Sequence, residues 1–194
     1  MMRSISGTVD AARQAADITE TNVTVVDSDF TSRSMGMIVK EAAKAAQDGK
    51  TVEEILEIIE DAKKRTTLYL TVVNLDNLIK GGRISQLMGM FSNLLNIKLF
   101  LQVINGKIEI IQKGRGLKSL QKKYDEIFEQ MKSAPKGIQE IGIMHAGLSD
   151  FNEGNIARVR ELFPDVPLTI VTTSPIIMSH TGVDAMAITY LENK

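Results

Sequence analysis

The feature that most restricts the fold is the dipeptide Asn105-Gly106, which separates two apolar segments at residues 97–104 and 107–112. Asn and Gly both tolerate positive φ, and such a pair between apolar segments is the strongest short-range signal for a β-hairpin. We therefore predict that both segments are strands and that they pair antiparallel. A purely parallel sheet is thus excluded for this half of the chain.

The segments around the hairpin predict an α/β domain with a mixed sheet. The apolar segment at residues 66–75 predicts a buried strand, and we place a domain boundary at its start. Further predicted elements are a short helix to Lys80, helices at 84–91, 117–132 and 153–163, and strands at 138–145, 168–172 and 185–191. The chain is thus divided into domains at residues 1–65 and 66–194.

The first block alternates helix, strand, helix and helix. A helix is predicted over residues 6–17, a buried strand over residues 22–27 and a second helix over residues 36–47. Thr51 begins a third helix, because Glu54 follows it at the spacing of a capping box. This pattern is typical of part of an α/β domain.

Composition excludes several classes of protein. The 194 residues contain no cysteine, so disulfides, thiolate metal sites and cysteine nucleophiles are excluded, which suits a cytoplasmic protein. A net charge of −1 argues against a nucleic-acid partner. No apolar segment has the length of a signal peptide core or a membrane span. We expect neither a cofactor nor a metal site, since the two histidines have no nearby ligand partners.

Two segments carry groups that could bind an anion. Ser6-Gly7-Thr8 at a helix start brings hydroxyls and backbone N–H groups to the positive end of the helix dipole, although a simple N-cap is the commoner explanation of such a tripeptide. Lys80-Gly81-Gly82-Arg83 presents an arginine that could grip a phosphate or a partner's carboxylate. A solvated turn between helices is the other interpretation of that segment.

Other side chains fit either a binding role or a structural one. Asp27-Ser28 lies at the end of a predicted strand and Ser32 follows it, in a position where ligands often bind and where chains also turn. His180 beside a glycine could hold a carboxylate or be a structural histidine. An apolar stretch at residues 87–95 follows the double glycine. Its residues Met88, Phe91, Leu94 and Leu95 could line an acyl tunnel or could simply pack in the core.

Taken together, these segments resemble the DegV family over almost the whole chain. The specific part is Lys80-Gly81-Gly82-Arg83-Ile84-Ser85 followed by Leu94-Leu95-Asn96-Ile97-Lys98. The supporting matches are Ser4-Ile5-Ser6-Gly7-Thr8, Ala11, Ala15-Ala16, Val26-Asp27-Ser28, Ser32, Gly36, Asn105-Gly106-Lys107 and Met144-His145-Ala146.

The resemblance implies a function. DegV proteins resemble the fatty-acid-binding subunits of bacterial fatty-acid kinases, so we expect a carrier that holds one long-chain fatty acid and performs no chemistry itself. Ser6, with Thr8 beside it, matches the carboxylate-binding serine, and His180 matches a histidine near the head group. Arg83 matches the arginine associated with docking to a kinase subunit, which would phosphorylate the bound carboxylate.

The chain also departs from the family pattern. The family's opening strands and an upstream Thr-Ser-x-Pro segment are missing, so we expect the C-terminal part of the N-terminal domain at residues 1–65, followed by the C-terminal domain at residues 66–194. Leu99 replaces a family proline, and Asp184 stands where the family has a glycine-proline-glycine segment. The alternatives are an enzyme acting alone on a phosphorylated or carboxylated small molecule, and a truncated form without ligand, stable as a homodimer.

Overall fold

A mixed six-stranded sheet with helices on both faces organises the molecule, as seen in a computed structural model that describes residues 1–82 and 96–194. The predicted α/β fold with a mixed sheet is confirmed. The described elements are α1 (Thr8–Asp17), α2 (Ser32–Gln47), α3 (Val52–Arg65), β1 (Thr66–Val72), α4 (Asp76–Lys80), β2 (Ile97–Ile104), β3 (Lys107–Arg115), α5 (Leu117–Lys132), β4 (Ile138–His145), α6 (Asp150–Leu162), β5 (Leu168–Thr172), α7 (Pro175–Thr181) and β6 (Met186–Glu192).

The strand order is β3-β2-β1-β6-β4-β5. Neighbouring strands are antiparallel, except that β4 and β5 are parallel. The predicted hairpin is confirmed: Ile104 pairs with Lys107, and Asn105 and Gly106 have φ values of 49° and 69°. Residues of that kind are needed because a two-residue hairpin turn requires positive φ.

Alternation along the strands creates an apolar layer on each face of the sheet. On one face, α5 and α6 cover a large core in which the Phe100 and Tyr124 rings meet edge to face at 4.9 Å. On the other face, the residues that pack together from α2 and the segment before it, from α3 and from the sheet are Phe30, Ile38, Ala62, Leu68, Met144 and Ala187. The domain boundary at residue 66 stays a prediction. Helices α2 and α3, which precede that boundary, pack on the sheet that follows it.

The strand predicted at residues 22–27 is wrong. The described structure has no regular secondary structure there, and Val23 is half exposed. A strand needs a hydrogen-bonded neighbour, and none of the described strands pairs with this segment. The carboxylate of Asp27 instead accepts a hydrogen bond from the Asp29 N–H (3.1 Å), which is the geometry of a turn.

The capping box at the start of α3 is confirmed. The Glu54 N–H donates to Thr51 Oγ1 (3.3 Å), and the Thr51 N–H donates to Glu54 Oε2 (2.8 Å), which lowers the pKa of Glu54. We expect Thr51→Ala to lower the free energy of unfolding by about 1 kcal/mol, because one helix N–H loses its acceptor. Urea unfolding measures the difference. The control is Thr21→Ala at an exposed loop position, and equal stabilities of the two variants would contradict the prediction.

Candidate functional site

The hydroxyl groups of Ser6 and Thr8 lie together at the start of α1. The helix begins at Thr8 with Gly7 as its N-cap, two residues later than predicted, so Ser6 lies one residue before the observed N-cap and makes no standard cap. Instead, the Thr8 N–H donates to Ser6 Oγ (3.2 Å), and the two hydroxyl oxygens are 2.7 Å apart. Both hydroxyls are therefore placed beside the positive end of α1, where an anion is stabilised.

A small apolar cavity lies between the start of α2, helix α7 and the sheet. Its volume is about 50 Å³. Six apolar and four hydroxyl-bearing residues form its wall: Leu68, Leu70, Met144, Ile177, Ala185 and Ala187, with Thr31, Ser32, Thr173 and Thr181. The cavity thus combines an aliphatic interior with hydroxyls that can hydrogen-bond a polar end of a ligand.

Thr173 contributes an unusual polar atom to this wall. Its Oγ1 is buried and has no hydrogen-bond partner in the described part of the chain. By contrast, the hydroxyl of Thr181 donates to the Ile177 carbonyl at 3.1 Å. A buried hydroxyl without a partner is unfavourable in folded proteins, and this one belongs to a residue of the cavity wall.

His180 lies next to Thr181 in α7 and contacts the turn at Gly81. A Cβ atom at position 81 would collide with the His180 ring, so any larger residue there would displace that ring. The Nδ1 atom of His180 is buried without a hydrogen-bond partner in the described structure. Asn77 Nδ2 donates to the Ser179 carbonyl (3.1 Å) and joins α4 to α7 nearby. The structure therefore places His180 between the cavity wall and the double-glycine turn.

The predicted site residues are brought together only in part. Ser32 lies in the cavity wall, and His180 is adjacent to that wall in sequence. Within residues 1–82 and 96–194, no hydrogen bond or ion pair joins Ser6 or Thr8 to either of them. Arg83, Met88, Phe91, Leu94 and Leu95 lie outside the described residues.

Sequence reasoning missed most of the cavity wall. Thr173 and Thr181 were not predicted as ligand groups, and neither were the two alanines of the wall, Ala185 and Ala187. One signal was present: Ala-Met-Ala at 185–187 alternates small and large residues, which places both alanines on one face of the strand. Two small side chains on one face leave room over the sheet.

Among the described residues, no group of three or more His, Asp or Glu side chains could hold a metal ion. None of the described helices has the length and apolar character needed to cross a membrane.

Comparison with known proteins identifies the family. The family model described as "Uncharacterised protein, DegV family" matches residues 1–193. The chain belongs to the DegV family. A DegV domain-containing protein of Streptococcus pneumoniae serotype 4 is 40% identical over 188 residues, and one of Listeria innocua is 39% identical over 191 residues. These alignments cover 97% and 98% of this chain but 66% and 67% of the relatives, so it spans about two thirds of their length.

Solved structures of DegV proteins share the fold. The fatty acid binding DegV family protein SAG1342 from Streptococcus agalactiae has a TM-score of 0.87 at 26% identity, over 100% of this chain and 69% of that one. The Streptococcus pneumoniae Fatty Acid Kinase (Fak) B3 protein, loaded with linoleic acid, has a TM-score of 0.81 at 26% identity, over 100% of this chain and 70% of that one. The resemblance inferred from the sequence motifs is therefore confirmed.

Proposed function

We propose that this DegV protein binds one long-chain fatty acid, with the acyl chain in the apolar cavity and the carboxylate on hydroxyl groups, and that it performs no chemistry itself. The observation that carries this proposal is the cavity on the face of β1, β4 and β6, which has an aliphatic interior and the unpaired hydroxyl of Thr173. Support comes from the similar structures, two of which are described as fatty acid binding or loaded with linoleic acid.

The size of the cavity limits what it can hold by itself. About 50 Å³ is far below the roughly 300–1,000 Å³ of typical ligand pockets. We propose that the cavity receives one part of the acyl chain and widens through its flexible Met144 side chain. Apolar burial then favours binding by about 25 cal/mol per Å². That Met88, Phe91, Leu94 and Leu95 line the rest of the tunnel stays a prediction.

The carboxylate has several candidate donors in this proposal. Ser6 and Thr8 offer two adjacent hydroxyls at a helix start, while Ser32 and Thr173 offer hydroxyls at the cavity. His180 offers a buried, unpartnered ring nitrogen. Because hydrogen bonds to a charged group are the strong ones, two or three of these groups are enough to fix a carboxylate.

The proposal includes a protein partner. A separate kinase subunit would phosphorylate the carboxylate of the bound fatty acid, and Arg83 would contact that subunit. The support is the likeness to the pneumococcal Fatty Acid Kinase (Fak) B3 protein together with the Lys80-Gly81-Gly82-Arg83 segment. We expect a purified fatty-acid kinase subunit to retain this chain. We expect Arg83→Met to abolish that retention.

Native mass spectrometry of the purified chain tests the binding function directly. We expect an additional mass that organic extraction identifies as one fatty acid per chain. A chain that carries no lipid and does not take up added oleate would overturn the proposal. Turnover of phosphorylated or carboxylated small molecules by the chain alone would instead favour an enzyme.

We expect Ser6→Ala to weaken fatty-acid retention about tenfold, because the carboxylate loses one charge-assisted hydrogen bond. The measurement is the fatty-acid content per chain after dilution, followed by the dissociation constant for oleate. Ser133→Ala is the matched control, since it removes an exposed serine hydroxyl that donates to the Glu129 carbonyl. Equal oleate affinity in the two variants would show that Ser6 does not bind the carboxylate.

A further inference from the structure

The backbone at Ser32 is held in an unfavourable conformation. Ser32 is the first residue of α2 and has a φ of 55°, a left-handed value that non-glycine residues rarely adopt. Such conformations persist only where the surrounding structure imposes them, and they cluster at functional sites. Since Ser32 also lies in the cavity wall, the contacts that impose this conformation bear directly on the cavity.

The two residues that follow Ser32 are anchored to the sheet. Arg33 Nη2 donates to Glu140 Oε2 (3.3 Å) and to Thr169 Oγ1 (3.1 Å), which lie on β4 and β5. The Ser34 hydroxyl donates to Thr189 Oγ1 on β6 at 2.8 Å. The first turn of α2 is thus bonded to three strands, and these bonds leave Ser32 little freedom to relax.

A glycine in β4 makes room for the Arg33 side chain. An added Cβ at Gly142 would lie 2.6 Å from Arg33 Cγ and 3.0 Å from Thr189 Cγ2, so any larger residue would displace the arginine stem. The guanidinium is held through its Nη2 bonds, while its Nε is buried without a partner in the described structure. The Arg33 side chain therefore crosses the sheet through the space that Gly142 leaves open.

Glu140 binds the guanidinium group at the end of the Arg33 side chain. Its side chain is only 8% exposed, and it accepts hydrogen bonds from Lys40 Nζ at 2.9 and 3.0 Å as well as from Arg33. Lys40 is largely exposed and lies two turns further along α2, away from the cavity wall. The same carboxylate therefore bonds one cation beside Ser32 and one distant from it.

We infer that Arg33 is a positioning residue that acts through Ser32. By crossing Gly142 to reach Glu140 and Thr169, it holds the first turn of α2 so that the Ser32 hydroxyl stays in the cavity wall, where it donates to a ligand carboxylate. The inference rests on the proposed fatty-acid function. Arg33 itself does not line the cavity.

Binding of two ligands with the same chain tests this inference. Oleate carries the carboxylate, whereas methyl oleate keeps the acyl chain without the charge. We expect Arg33→Met to weaken oleate binding about tenfold, the loss of one hydrogen bond to a charged group, and to leave methyl oleate binding unchanged. Lys40→Met, the matched control on the same carboxylate, should leave both affinities unchanged. Equal loss for both ligands, or equal loss in Lys40→Met, would show that Arg33 merely docks the helix.

A double-mutant cycle with Ser32→Gly separates action through Ser32 from a direct effect. Glycine tolerates the positive φ and lacks the hydroxyl, so Ser32→Gly alone should weaken oleate binding as much as Arg33→Met. The double variant should show no further loss; additive losses would overturn the inference. If Arg33→Met does not fold, Thr169→Val removes one of its acceptors with little change of shape. Failure of the unmodified chain to bind oleate would overturn the proposed function and this inference together.

Discussion

Replacing Ala187 with leucine should reduce bound fatty acid by more than about tenfold. Ala187 lies in the cavity wall on β6, and a leucine side chain there would occupy the space proposed for the acyl chain. Excluding only two CH₂ groups of the ligand costs about 1.6 kcal/mol, at about 0.8 kcal/mol per group. The measurements are lipid content by native mass spectrometry and the dissociation constant for oleate.

The control for that experiment is a buried alanine outside the cavity. Ala146→Leu introduces the same side chain just beyond the end of β4, at a residue that is 3% exposed and does not line the cavity. Overpacking costs about 1–3 kcal/mol at either position, so thermal unfolding of both variants shows whether each is still folded. A folded Ala187→Leu protein that retains its fatty acid would place the acyl chain elsewhere.

Replacing Phe100 with alanine should lower the free energy of unfolding by about 3–5 kcal/mol. The ring is fully buried and lies between two tyrosines, with centroids 4.9 Å from Tyr124 and 6.1 Å from Tyr69. Removing it leaves a cavity in the core that joins β2 to α5, and it also removes two edge-to-face contacts. Burial raises the pKa of Tyr124, so its phenol stays neutral in this core.

Urea unfolding followed by far-UV circular dichroism measures this loss, since the chain has no tryptophan. Leu117→Ala, at a residue that is 42% exposed, should change stability by no more than about 0.5 kcal/mol. A Phe100→Ala protein as stable as Leu117→Ala would mean that the face covered by α5 and α6 does not hold the sheet together. Phe100 points away from the cavity face, so the folded Phe100→Ala protein should bind oleate with unchanged affinity.

Local chemistry accounts for the parts of the fold that were predicted correctly. The turn at Asn105-Gly106 and the capping box of Thr51 and Glu54 depend on residues within a few positions of each other. The same holds for the paired hydroxyls of Ser6 and Thr8. Interactions over such short separations depend little on how the rest of the chain folds, so their sequence signals are reliable.

Strand formation at residues 22–27 was predicted from β-branched composition and is wrong because a strand depends on a partner. Composition shows that a segment would fit a sheet, but the hydrogen bonds come from another segment. The described sheet recruits its six strands from residues 66–192 and leaves this apolar segment unpaired. Chain order gave no means of anticipating that choice.

The motifs of the chain were enough to predict the DegV family, the α/β class and the antiparallel hairpin. The cavity required the folded molecule, because its wall is collected from β1, β4, β6, α7 and the start of α2. Arg33 and Glu140 are 107 positions apart, and no periodicity or motif links them. Packing of distant segments creates both features, so they are visible only once the sheet has brought those segments together.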